Sequence, residues 1–95
     1  MYYDPKESGK RIAALRKERG MTQEQFSERM NIGLSTLGKL ERGLQRPSID
    51  LLIEMAFFFH VSTDYLLLGD EVQKDTARDT IDFVIAKLQE VKRKI

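Results

Sequence analysis

The stretch TQEQFSERMNIGLSTLGKLER, residues 22–42, decides the fold. It reads as two short helices around a tight turn. Thr22 has the chemistry of a helix cap, and Gln25, three residues on, completes a capping box. Phe26 and Met30 then fall on one face at i and i+4. Asn31-Ile32-Gly33 interrupts the pattern: Asn tolerates left-handed backbone, and Gly serves as a cap. From Leu34 to about Arg42 a second helix turns Leu37 and Leu40 inward, and Gly43 closes it.

Outward from this pair the punctuation continues. Upstream, Asp4-Pro5-Lys6-Glu7 predicts a helix start with Asp4 as cap, Pro5 in the first helical position and Glu7 in the capping-box position. That helix runs to Arg19, stops at Gly20, and points Ile12 and Leu15 inward. Tyr2 and Tyr3 are expected in a disordered terminus. Downstream, Leu44-Gln45-Arg46-Pro47 is a loop, and Ser48 caps a fourth helix from Ile49 to Phe59. Ser62 starts a short fifth helix ended by Gly69, a charged link follows over residues 70–74, and a last helix covers about residues 75–94. No strand-like alternation occurs, so the fold class is all-α.

Composition narrows the function classes. The chain has 95 residues, no cysteine and one histidine, which rules out a disulfide framework and a Cys/His metal site and fits a reducing, cytoplasmic location. The longest apolar run, Met55 to Phe59, is far short of a membrane span, and the N-terminus has no signal-peptide core. His60, after three phenylalanines at a helix end, reads as structural. With no nucleophile–base constellation, no phosphate-cradling glycine loop and no carboxylate cluster, neither an enzyme nor a cofactor or small-molecule ligand is expected. The net charge is +1, but residues 1–46 carry +4 and residues 47–70 carry −4. A domain polarised in this way can turn one face to phosphates.

Four stretches, GKRIAALRKERGMTQEQFSERM, STLGKLERG, RPSIDLLIEMA and VSTDYLLLG, stand in register between residues 9 and 69. In order and spacing they resemble the phage Cro and repressor family, which includes the xenobiotic-response-element type of bacterial transcriptional regulator. The resemblance implies a five-helix, repressor-like DNA-binding domain over residues 1–69, with its second and third helices forming a helix-turn-helix. In that geometry the first helix of the motif crosses the phosphate backbone and the second enters the major groove.

The same resemblance assigns roles. Gln23, beside its cap Thr22, is expected to hydrogen-bond a phosphate and brace the reading helix; a helix N-terminus favours an anion there. Arg16 and Glu41 take the family's structural ion pair, and Arg46 the place of a basic residue on the DNA backbone. With Leu37 and Leu40 inward, the outward positions are Leu34, Ser35, Gly38, Lys39 and Arg42. Lys39 and Ser35 are the polar base readers, Leu34 suits a thymine methyl, and Gly38 lets backbone approach the groove; Arg42 belongs with the phosphate contacts. Leu34 and Gly38 depart from the polar residues usual in the family, as Asn31 and Gly33 depart in the turn. Shape and phosphate contacts are therefore expected to carry more of the affinity.

The fourth helix is apolar nearly all round, so Leu51, Phe57 or Phe58 calls for a cover beyond the domain. Residues 70–95 supply a candidate, because Ala77, Ile81, Val84, Leu88, Val91 and Ile95 form a heptad seam widened by Phe83 and Ile85. Two packings fit: the tail folds back on its own fourth helix, or it pairs with a second subunit. The second is favoured, because a palindromic site requires two-fold symmetry. Dimerisation residues are then Phe57, Ile81, Val84, Leu88 and Val91. The expectation is a sequence-specific DNA-binding transcriptional regulator, a repressor that binds a palindromic operator in double-stranded DNA as a homodimer. The alternative is an antitoxin or anti-repressor that uses the fold for protein contacts.

Overall fold

The computed structural model describes residues 2–69 and 84–90. Five helices follow one another: α1 (Pro5–Glu18), α2 (Gln23–Met30), α3 (Leu34–Glu41), α4 (Ile49–Phe59) and α5 (Thr63–Leu68). Residues 84–90 are also helical. Among the described residues no helix is long and apolar enough to cross a membrane.

Each start has its own chemistry. Asp4, Thr22, Ser48 and Ser62 cap α1, α2, α4 and α5 by accepting from a backbone N–H in the first turn. At α2 the capping box is complete, with the Gln25 side chain accepting from the Thr22 N–H at 2.9 Å. At α1 the expected box does not close. The Glu7 carboxylate instead accepts from Lys10 at 3.3 Å, one turn along its own helix. Gly33 starts α3 with no side-chain cap. Asn31 and His60 end α2 and α4 in left-handed backbone, each with φ of 57°, so the lone histidine is a turn residue.

One core collects the inward faces: Ile12 from α1, Phe26 and Met30 from α2, Leu37 and Leu40 from α3, Leu51, Met55, Ala56 and Phe59 from α4, and Leu66 from α5. Leu15 packs against it half-buried. Two expectations about α4 are corrected here. Leu51 is buried by its own domain. Phe58 is half-buried, because its ring lies 5.8 Å from Phe26 and 5.3 Å from Phe59 with the Arg19 and Arg29 guanidiniums each 5.3 Å from its centroid. Cations from the ends of α1 and α2 lie over this ring. Phe57 remains in water at 77% exposure.

Two glycines permit close approach of α1 to the end of α3. A Cβ on Gly9 would collide with the Leu40 carbonyl and stand 2.6 Å from that of Glu41. A Cβ on Gly43, at φ of 76°, would stand 2.7 Å from the Lys6 backbone. Gly38, in contrast, has open space where its Cβ would be. The two kinds of helical glycine should respond oppositely to alanine. Gly9→Ala is expected to lower stability by about 2–3 kcal/mol through backbone overlap. Gly38→Ala is expected to raise it by up to ~1 kcal/mol through helix propensity. Denaturant unfolding of both variants measures the two signs.

Candidate nucleic-acid interface

The position of α3 is set by a polar cluster at its C-terminal end. Arg16 of α1 donates from Nε to Glu41 Oε2 at 2.7 Å and from Nη2 to Glu41 Oε1 at 3.1 Å. Its remaining Nη1 donates to the Met21 carbonyl at 2.8 Å. Gln23, the first residue of α2, donates from its amide to Glu41 Oε1 at 2.9 Å. One carboxylate therefore ties three helices together. Both charged side chains are more than nine-tenths buried, and the bidentate fork satisfies them in parallel. Among the described residues no buried side-chain nitrogen or oxygen lacks a partner.

This network has an electrostatic consequence. Glu41 is the one acidic residue in α3, and it is turned inward and neutralised. Leu34, Ser35, Lys39 and Arg42 are exposed on the outside, and Gly38 is half-buried between them. The charges on that face are the Lys39 ammonium and the Arg42 guanidinium, the latter donating to the Gly38 carbonyl at 3.1 Å. Thr22 is exposed at the α2 N-terminus. Gln23 is half-buried and braces Glu41 through its amide nitrogen. Arg46 is exposed in the loop before Pro47.

The structure brings together residues that the sequence reading left apart. Tyr3, expected in a disordered terminus, is half-buried, with the Arg46 guanidinium 5.5 Å from its ring centroid. Ser8 and Arg11 of α1 donate to the Leu66 carbonyl, and Arg11 also donates to that of Leu67 at 2.9 Å, which satisfies the end of α5. Ile49 and Ile53 extend Phe57 into an apolar stripe at four-residue spacing, with exposures of 76%, 42% and 77%. The apolar excess of α4 was visible in the sequence; which face the domain leaves uncovered was not. Of the expected dimerisation residues, Val84 and Leu88 are exposed on the helical residues 84–90, as is Ile85. Ala77, Ile81, Phe83, Val91 and Ile95 and the link over residues 70–74 lie outside the described residues.

The chain is similar in sequence and fold to known proteins. The helix-turn-helix family pattern matches residues 12–66. The HTH-type transcriptional regulator ImmR of Bacillus subtilis is 39% identical over 85 residues, which span 88% of this chain and 67% of ImmR. The P22 c2 repressor, solved in complex with a synthetic operator, superposes with a TM-score of 0.63 at 28% identity, covering 66% of this chain and 96% of that one. A chain of a SinR–SinI complex superposes with a TM-score of 0.60 at 26% identity over 92% of this chain and 98% of that one. The chain belongs to the helix-turn-helix family of transcriptional regulators.

The Arg16–Glu41 pair offers a direct stability test. Glu41→Leu leaves a buried, unpaired guanidinium and is expected to cost about 3–5 kcal/mol. Arg16→Met combined with Glu41→Leu removes both charges and is expected to recover most of that loss. Unfolding of the two single variants and the double variant measures the coupling.

Proposed function

We propose that this helix-turn-helix regulator works as a homodimeric repressor that reads a palindromic operator in double-stranded DNA with α3 in the major groove. The observation that carries the reading is the inward, neutralised Glu41, which leaves α3 with a cationic outer face. A carboxylate exposed there would repel the phosphates flanking a groove. Lys39 suits the acceptors of guanine, Ser35 a base edge, and Leu34 a thymine methyl. Gly38 has no packing reason to lack a side chain, which fits a backbone surface kept low for close approach to the bases.

Backbone contacts frame that face. Thr22 and Gln23 sit at the N-terminus of α2, where free N–H groups favour a phosphate, and Arg42 and Arg46 add guanidiniums. These contacts set affinity and register, and the α3 face supplies sequence preference. Dimerisation uses Phe57 with the tail seam of Ile81, Val84, Leu88 and Val91; exposed apolar side chains on α4 and on residues 84–90 support it. The P22 c2 repressor, solved on a synthetic operator, is in keeping with this role. No step requires a cofactor or catalytic group, and the site of action is the cytoplasm.

The exposed Leu34 at the start of α3 favours one second reading, an antitoxin or anti-repressor that meets a protein there. Ionic strength separates the two. DNA binding weakens steeply as salt rises, whereas an apolar protein contact does not.

Selection of bound fragments from genomic DNA by the purified protein is expected to enrich a two-fold palindrome with half-site centres about one helical turn, ~34 Å, apart. Enrichment of no motif would overturn the operator reading. Lys39→Ala is expected to weaken binding to the selected site roughly ten-fold while leaving binding to unrelated DNA within about two-fold. Sedimentation of a chain ending at Gly69 is expected to show a monomer; a persistent dimer would remove the tail from the interface.

A further inference from the structure

Tyr3 stands one residue ahead of the Asp4 cap of α1, and its neighbour is 43 residues away in sequence. The Arg46 guanidinium lies 5.5 Å from the Tyr3 ring centroid. Gly43 accounts for the meeting. With no Cβ and with φ of 76°, it lets the α3–α4 loop press on the backbone of Lys6, beside the start of α1. Among the described residues Arg46 has no carboxylate partner and no hydrogen-bond acceptor.

The type of partner is informative. A carboxylate would order Arg46 but cancel its charge and occupy its N–H donors. An aromatic ring restrains a guanidinium through its π face and leaves both the charge and the donors available. Arginine otherwise carries large rotamer entropy, which it loses on docking to a phosphate.

We propose that Tyr3 is a positioning residue for DNA-backbone binding, holding Arg46 pre-ordered for a phosphate through its ring. This rests on the reading of Arg46 as a phosphate contact. Because such contacts are independent of sequence, the probe is a mixed-sequence duplex several helical turns long, titrated with the full chain across a range of salt concentrations. Thermal unfolding of each variant accompanies the titrations.

Arg46→Ala is expected to weaken binding and to lower the slope of log affinity against log salt by about one per bound subunit. Tyr3→Leu is expected to weaken binding roughly three-fold with the slope unchanged, since the charge remains. Tyr3→Phe keeps the ring and is expected to bind as the unaltered chain does. Tyr3→Leu added to Arg46→Ala is expected to cause no further loss. A Tyr3→Leu chain that binds normally, or a loss that persists undiminished in the Arg46→Ala background, would overturn the positioning role while leaving Arg46 as a phosphate contact. An Arg46→Ala chain with an unaltered slope would overturn the phosphate contact itself, and the positioning role with it.

Discussion

Three helices meet on one carboxylate. Glu41 closes α3, accepts a bidentate fork from Arg16 of α1, and takes the amide of Gln23 at the first residue of α2. Buried ion pairs add little net stability compared with apolar packing, because desolvation offsets the attraction. Their strength is directional, since a fork fits a carboxylate in few orientations. Here that direction fixes the roll and height of α3 against the two helices beside it. The rest of the cationic face depends on the result, since an outward Glu41 would place a negative charge beside Lys39 and Arg42.

Close approach makes the network possible. Gly9 lets α1 lie against the Leu40 and Glu41 carbonyls, and Gly43 lets the following loop lie against Lys6. A helical glycine costs up to ~1 kcal/mol relative to alanine. At Gly9 this cost has a visible reason inside the domain, while at Gly38 the domain supplies none. The contrast distinguishes a glycine required by the fold from one whose reason lies outside it.

Local chemistry was legible in the sequence, and distant pairing was not. Caps at Asp4, Thr22, Ser48 and Ser62 and the left-handed Asn31 are written in neighbouring residues, so helix starts and stops could be read directly. The inward Leu37 and Leu40 follow from periodicity alone. Ser8 and Arg11 gave no such signal, because their acceptors on α5 lie 55 to 58 residues away. Tyr3 was misread for the same reason: its neighbour is on a loop beyond α3. The apolar excess of α4 was visible, but its division was not. Leu51 and Phe58 are covered by the domain, the latter partly by two arginines, and the uncovered stripe is Ile49, Ile53 and Phe57. Roles at the outward positions of α3 came from the resemblance, which periodicity could narrow to a face and no further.

The open space at Gly38 bears on how such a regulator changes over time. Most altered residues on a working surface must be tolerated by the fold before they can be tried for function. At Gly38 the fold raises no objection to a Cβ, since nothing lies within 4 Å of where it would stand, and almost any replacement strengthens the helix. Stability therefore does not police this position, and under the proposed function only the DNA in the groove would. On that reading a lineage could alter its recognition there in a single step without first acquiring a compensating substitution elsewhere.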